Sequence, residues 1–535
     1  MVFRSRFLEP SIPDRELSEF VLGSVDAHPE RPAVIDAVSG RRLAYGDLRA
    51  QVDRFAGALG ELGVEKGDVV AIQLPNLPEY PVVFFGTTRA GATSTTLNPA
   101  YTSHEIAAQL ADAGARVVVT IPECLDKVRA AIRPGVRLVV VGERSGEAID
   151  YADLLRAPAP AATADVDPGE DLATLPYSSG TTGLPKGVML THRSLVANGV
   201  QCAPFFSADD DVALAVAPFF HIMGMTVLMV GGLCRGATLV TMPRFDLEQC
   251  LRAIERYRVT CTVVPPPIVV AFAKHPSVDN HDLSSLRLII SGGAPLGADA
   301  QQACAARLAC RVAQGWGMTE LAGAGSVSPP PELAADEPGT VGWCVAGAEM
   351  RIVDPVSGAE LGAGERGELW FRGPNMMTGY LHNSQATAAT LTDDGWCRTG
   401  DVAQIDDDGF VRIVDRLKEL IKYKSYHVAP AELEAVLISH PLISDAAVVA
   451  SPDDEAGEVP KAFLVVKDTT DPQRAADEAM AYMVERVAPY KRVRRYEIID
   501  AIPRTPSGKI VRRGLIERER MASEAVHGWS RTGNG

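Results

Sequence analysis

Residues 175–188 read Leu-Pro-Tyr-Ser-Ser-Gly-Thr-Thr-Gly-Leu-Pro-Lys-Gly-Val. Four hydroxyls (Ser178, Ser179, Thr181, Thr182) are interspersed with Gly180, Gly183 and Gly187, and Lys186 stands near the end. Hydroxyls and exposed backbone N–H groups in a turn can ring phosphate oxygens. Glycines let the backbone approach a ligand closely, and the lysine adds a mobile point charge for the outer phosphates. The spacing is not G-x-x-x-x-G-K-[ST], because Gly187 follows Lys186 where a Mg2+-holding hydroxyl would be needed. A second turn, Ser291-Gly292-Gly293-Ala294-Pro295-Leu296, follows a predicted strand. Crevices beyond the carboxyl ends of strands are where open α/β sheets bind ligands. Near the end, Pro503-Arg504-Thr505-Pro506-Ser507-Gly508-Lys509-Ile510 carries the Pro and Gly that fix a turn and can present Lys509 outward. These stretches point to chemistry on a polyphosphate.

The loop at 175–188 resembles the signature of the adenylate-forming enzymes, which include acyl-CoA synthetases, aryl-CoA ligases, luciferases and peptide-synthetase adenylation domains. The likeness extends over almost the whole chain. With Lys418-Glu-Leu-Ile-Lys422 and Ala429-Pro-Ala-Glu-Leu-Glu434, the pattern is most similar to 4-coumarate–CoA ligase-like enzymes, a subgroup that also holds fatty-acyl ligases. The resemblance implies a site. Gly315-Trp316-Gly317-Met318-Thr319-Glu320 matches the second signature: Trp316 would stack on adenine, where the family usually has Tyr or Phe. Thr319 would contact the phosphates and Glu320 would hold Mg2+. Gly293, Ala294 and Pro295 would run along the adenine and acyl groups. In Trp396-Cys397-Arg398-Thr399-Gly400-Asp401, Asp401 would hold the ribose hydroxyls. Arg416 would be a second ribose or phosphate ligand, and Asp415 the hinge of a terminal domain. Lys509 would enter the site and bridge the carboxylate and the α-phosphate. Catalysis would thus fall to Lys509, Lys186, Thr319 and Glu320.

The implied reaction is activation of a carboxylic acid with ATP. A carboxylate is a poor acyl donor because its leaving group would be oxide; adenylation makes that group a phosphate monoester. Charge redistributes on phosphoryl oxygens, so the protein's task is placement and positive potential. A thiol then captures the acyl group. The terminal domain would rotate, withdraw Lys509 and bring in Lys422, Lys424, Ser425 and Tyr426 for coenzyme A. Ser425 stands where coenzyme-A ligases usually have Gly, and His427 where they often have Gln. The acyl pocket would be lined by Phe219, Phe220, His221, Met223, Val264, Gly292, Gly293 and Met318, with His221 as a gate. No Asp suited to an amino-acid amine lies there, which argues against an amino-acid substrate; the apolar lining and the resemblance imply a hydrophobic acid, aryl, cinnamate-like, or a medium-to-long-chain fatty acid. Two other readings share the fold, an acyl-AMP ligase that loads a carrier protein and a luciferase-like oxygenase. The first would carry an insertion before the hinge, which the sequence lacks. For the second no residue announces an oxidation step.

These residues need a scaffold, and the apolar runs supply one. Short strands (69–74, 93–96, 116–120, 137–141) alternate with helices (79–90, 103–113, with Ser103 as cap), after an opening helix, a hairpin (33–35, 42–43) and a helix from 45 to about 62. That alternation predicts an α/β fold with mostly parallel sheets. An Ala-, Pro- and Asp-rich linker covers 155–171, and strands resume at 213–217, 237–240, 260–264 and 286–290. Strands at 349–353, 367–372, 402–405 and 410–414 suggest a small β subdomain. Lysines mark a boundary: four (66, 127, 186, 274) precede residue 416 and seven follow. The expected organisation is a large N-terminal domain of stacked sheets, 1–415 (subdomains about 17–155, 172–340 and 341–415), and a small mobile α+β lid, 416–535, with helices at 430–439 and 475–487 and strands at 445–451, 461–466 and 495–499.

The 535 residues carry a net charge of −16, which excludes the basic footprint of a duplex-binding protein. Nine cysteines, with no C-x-x-C pair, fit a reduced cytoplasmic compartment rather than a disulfide scaffold. The start reads as no signal peptide and the last residues as no peroxisomal address. Residues 212–234 lack Asp, Glu, Lys and Arg, yet Pro218, His221, Gly224, Gly231 and Gly232 make them a buried strand, turn and helix rather than a membrane span.

Overall fold

Runs such as Val69-Val70-Ala71-Ile72 place an apolar side chain at each position, and a strand sends alternate side chains to opposite faces. Such a strand needs cover on both sides. In the computed structural model Val70 and Ile72 enter a central core, while Val69 and Ala71 enter an outer one. The same split recurs in a second sheet, where Leu288 and Ile290 face the central core and Ile289 faces outward. The description covers residues 1–519 and 521, except 24, 26, 27, 144, 145, 147, 157, 159–163, 179–184, 207–210, 424, 425, 454, 455, 468–470 and 507, and only the backbone of 426 and 427.

Among the described residues two nine-stranded sheets form the body. The first is built around Val69–Ile72, with Thr93–Thr96 and Ala115–Thr120 parallel on either side. The second is built around the parallel strands Val212–Ala215, Cys261–Val264, Leu288–Ser291 and Arg311–Met318. Helices Glu79–Arg89 and His192–Cys202 fill the layer between the sheets. Helices Leu247–Tyr257 and Pro266–Lys274 cover the far face of the second.

Sheet membership interleaves along the chain. The hairpin Pro32–Asp36 and Arg42–Ala44 joins the second sheet, where Val34 pairs with Leu239. Strands Leu172–Thr174 and Lys186–Thr191, beyond the 155–171 stretch, join the first. A five-stranded antiparallel sheet follows. One of its edges is Val2–Arg4, a strand that no local sequence pattern predicts. The last part folds around the hairpin Ile443–Asp453 and Gly457–Val466, with helices Pro430–Ser439 and Pro472–Val484 on one face.

Three details differ from expectation. Thr102, not Ser103, caps the helix Ser103–Ala113, through a capping box in which Thr102 and Glu105 satisfy each other's backbone N–H groups. Residues Met223–Val230 form a π-helix in the buried segment expected to be an ordinary helix. Strand Cys397–Ile405 begins five residues before the expected 402–405, so Asp401 stands inside a ladder rather than on a loop. No helix among the described residues is long and apolar enough to cross a membrane.

Candidate active site

Strands Leu288–Ser291 and Arg311–Met318 run parallel, and their carboxyl ends open on a cleft of about 1650 Å3 between the large body and the C-terminal part. Gly293, Ala294 and Pro295 line it, and so does each residue of 315–320. Gly317 is required where it stands, because a Cβ there would lie 1.8 Å from the Gly323 carbonyl oxygen. That close approach permits the bulge between Trp316 and Gly317, which sets the pitch of the strand end.

Glu320 follows in a 3-10 turn, buried, with its carboxylate tied to the phosphate-loop strand pair. Ser178 Oγ donates to Glu320 Oε1 at 3.0 Å, and the Tyr380 hydroxyl donates to the same oxygen at 2.8 Å. Lys186 lies opposite Ser178 in the ladder, and its Nζ sits 4.2 Å from the Tyr380 ring centroid. Burial, then the Glu320 charge, pushes the Tyr380 hydroxyl pKa well up, so it remains a donor. Tyr380 has no sequence signal; it reaches the site because Gly379–Tyr380 pairs with Lys186–Thr191. Among the described residues Glu320 Oε2 takes no hydrogen bond, and no group of three or more His, Cys, Asp or Glu could hold a metal ion. A single open hard oxygen suits Mg2+, which keeps water and phosphate oxygens in its shell.

Asp401 and Arg416 lie opposite each other on adjacent strands, and Arg416 Nε meets Asp401 Oδ1 at 2.6 Å. The Trp316 indole Nε1–H donates to the other oxygen, Oδ2, at 2.7 Å. Burial raises the Asp401 carboxyl, while Arg416, Trp316 and Lys509 oppose that rise. Asp415 Oδ2 accepts the Ala431 N–H at 2.9 Å, at the start of helix Pro430–Ser439. Burial pushes the Asp415 carboxyl up to about 7, against the pull of Arg512.

Lys509 comes into this cleft from the other side. Its turn is closed by Thr505 N–H to Lys509 O at 2.8 Å and Gly508 N–H to Thr505 O at 2.8 Å. Gly508, at φ +83°, rests against Pro265, where a Cβ would meet the proline ring at 2.4 Å. Arg504 braces the turn, donating to Gly508 O at 2.8 Å and pairing with Asp445 at 2.7 Å. Burial and then Arg416 lower the Lys509 pKa, against the attraction of Asp401, Glu320 and Glu419. Burial, then Lys509, pushes His221 down to about 3, so its ring is neutral. His221 Nδ1 accepts the Met223 N–H at 3.4 Å, which leaves Nε2 to carry the proton.

The expected residues separate into groups. Ser178, Gly293–Pro295, 315–320, Asp401, Asp415, Arg416 and Lys509 converge on the cleft, with Phe220 and His221. Phe219 instead packs on Tyr80, with ring centroids 5.4 Å apart, and Val264 lies in the outer core. Met223 and Gly292 sit one layer behind the lining, in contact with each other. Lys422 is exposed on the strand Ile421–Tyr423, away from the lining. Ser179, Gly180, Thr181, Thr182, Gly183, Lys424 and Ser425 lie outside the described residues, as does the side chain of Tyr426.

Comparison with known proteins decides the family. A model of AMP-binding enzymes matches residues 23–381, and one of the AMP-binding enzyme C-terminal domain matches 432–509. The chain belongs to the AMP-binding enzyme family. A rice (Oryza sativa subsp. japonica) protein named 4-coumarate–CoA ligase 5 is 43% identical over 530 residues, covering 96% of each chain. The anthranilate CoA ligase AuaEII, solved with anthranoyl-AMP, superposes with a TM-score of 0.89 at 27% identity, covering 96% of this chain and 98% of that one. A benzoate CoA ligase from Burkholderia xenovorans LB400 superposes with a TM-score of 0.83 at 26% identity, covering 94% and 99%.

This AMP-binding enzyme is an acid–CoA ligase that works through an acyl-AMP, with ATP, Mg2+ and coenzyme A. The acid's oxygen attacks the α-phosphorus and pyrophosphate leaves; the thiol of coenzyme A then displaces AMP from the acyl carbon. Bound Mg2+ supplies positive charge at the phosphates, with Glu320 as the residue here that fits it. No general base is needed for the first step, since a free carboxylic acid is already ionised at neutral pH. No described helix spans a membrane, and the partners are a small acid and coenzyme A.

Proposed function

We propose that this enzyme activates aromatic, cinnamate- or benzoate-like acids, and that the arrangement described is the one that performs adenylation. The observation that carries the second part is the seat of Lys509, which lines the same cleft as Asp401, Glu320 and His221. In this reading the 178–187 turn and Thr319 hold the phosphates, with Lys186 neutralising the departing pyrophosphate. Trp316 stacks on adenine beside Gly293–Pro295, and Asp401 with Arg416 takes the ribose. Lys509 bridges the acid's carboxylate and the α-phosphate, where charge builds in the transition state. Neutral His221 offers Nε2–H to the acyl end.

The part after Asp415 then turns as a lid, residues 1–415 staying behind, and brings Lys422, Lys424, Ser425 and Tyr426 to the cleft for coenzyme A. The exposure of Lys422 supports this, since it leaves that face unused in the present arrangement. An aromatic substrate is supported by the rice, anthranilate and benzoate ligases and by a lining of Phe220, Met318 and Gly293. Nine free thiols support a reduced, cytoplasmic setting, which cell fractionation tests.

The experiment is pyrophosphate release with cinnamates, benzoates and C6–C16 fatty acids, with coenzyme A or a phosphopantetheinyl carrier protein as acceptor. Highest kcat/KM on a cinnamate or benzoate with coenzyme A is expected. A fatty acid preferred tenfold would overturn the aromatic assignment, and acyl transfer to the carrier alone would overturn the acceptor.

A further inference from the structure

The adenine platform and the ribose carboxylate are joined directly. Trp316 Nε1–H donates to Asp401 Oδ2 at 2.7 Å, while Arg416 holds Oδ1 at 2.6 Å. Both side chains are buried, Asp401 at 3% and Trp316 at 9% exposure. The indole is seated from behind by the neighbouring strand. A Cβ on Gly325 would lie 2.5 Å from Trp316 Cζ3 and 2.9 Å from Cε3, so the bare glycine is what leaves room for the ring there. With Gly325 against its six-membered ring and the N–H on Asp401, the indole has little freedom about χ2.

We propose that Trp316 is a positioning residue for the ribose: its N–H fixes the Asp401 carboxylate so that the remaining lone pairs meet the sugar hydroxyls. This deepens the proposed function and rests on Asp401 as the ribose ligand. The chemistry is particular to indole. Phenylalanine offers the same stacking face with no donor, and tyrosine carries its donor at the far tip of the ring. With Trp316 in place a carboxylate that burial disfavours gains a charge-assisted bond. Without it, the side-chain contact left to Asp401 among the described residues is the Arg416 ion pair, about which the carboxylate can turn on its Cβ–Cγ bond. Adenine recognition and ribose recognition are therefore coupled through one hydrogen bond, and a nucleotide without sugar hydroxyls draws no benefit from it.

The test is equilibrium binding of ATP and of 2′,3′-dideoxy-ATP to the wild-type enzyme and to Trp316→Phe. The expected result is an ATP affinity lowered about tenfold in W316F, the scale of one hydrogen bond to a charged group. Dideoxy-ATP affinity should change less than twofold. Equal losses on both nucleotides would reduce Trp316 to a stacking surface and overturn the inference, as would no loss on either. Failure of the wild type to prefer ATP over dideoxy-ATP would instead remove the underlying role of Asp401. A second measurement does not depend on how W316F folds. With 15N-labelled tryptophan in otherwise native enzyme, Asp401→Asn should shift one of the five indole N–H resonances upfield and leave the other four in place. No shift in any of them would overturn the bond.

Discussion

The two walls of the cleft are held in different ways. On the body side Asp401 sits in a strand paired with that of Arg416, the first residue past the proposed hinge, and Trp316 at a strand end; Glu320 takes two hydroxyls. Each is fixed by a ladder or by more than one bond. On the other side Lys509 stands on one turn, and the contacts that cross to the body among the described residues include separate single ones. Lys274 Nζ donates to Ile438 O at 2.7 Å, Gly508 rests on Pro265, and Asp415 accepts the Ala431 N–H. The body wall is over-determined, as a site that must hold charge in place requires. The lysine wall rests on separate single contacts, which suits the departure after adenylation proposed for it.

The sharpest way to break this contrast is Lys509→Ala. Pyrophosphate exchange should fall about 10²–10³-fold, the range for removing one group that meets transition-state charge, while acyl transfer from supplied acyl-AMP stays within twofold. Equal loss in both half-reactions would mean that Lys509 does not leave. The pH profile sharpens the same point. Burial and Arg416 lower the Lys509 pKa, so its charge is lost as pH rises before the ordinary lysine value of 10.5. In the free enzyme kcat/KM for adenylation should decline on that alkaline side, and the thiol step should show no matching decline.

Arg504→Ala removes the brace behind Lys509 and leaves the lysine itself. Adenylation should drop about tenfold or more, since small misplacements at a reacting centre are costly, with no change in ATP affinity. Tyr380→Phe acts on the body wall, deleting one of the two hydroxyls on Glu320. A loss of about tenfold, with a raised Mg2+ requirement in pyrophosphate exchange, is expected. The smallest effect belongs to Lys274→Ala, which frees the Ile438 carbonyl. Adenylation should slow about two- to fivefold and the thiol step should be equal or faster. Slowing of both would show that this contact does not distinguish the two arrangements.

Sequence reading served the body wall well because its signals are local. The doubly apolar run 69–72 forces a covered strand, and the glycines at 292–293 and 315–317 announce strand ends. It served less well where a residue's place depends on distant pairing. Tyr380 reaches Glu320 only through a strand pair that joins residues 186–191 to 379–380. Phe219 looks like a lining residue beside His221, but its ring meets Tyr80 of helix Glu79–Arg89 and turns into the core. Thr102 and Ser103 are both good caps for helix Ser103–Ala113, so local residue type does not choose between them; the reciprocal bond with Glu105 selects Thr102. The strand Val2–Arg4 is three residues long, ends in an arginine and pairs with residues almost 350 positions away, so no local pattern marks it.

The crossing of residues 32–44 into the second sheet bears on how the protein is made. On the ribosome this hairpin emerges early, yet the strand that receives it, Thr238–Thr241, follows about two hundred residues later. At bacterial or eukaryotic elongation rates of about 5–20 residues per second that is a wait of tens of seconds at the slower end. During it Ala33, Val34 and Ile35, all buried in the finished enzyme, have no lasting cover. Nascent chains stalled before residue 241 should therefore engage holdase chaperones, and chains stalled beyond the second sheet should release them.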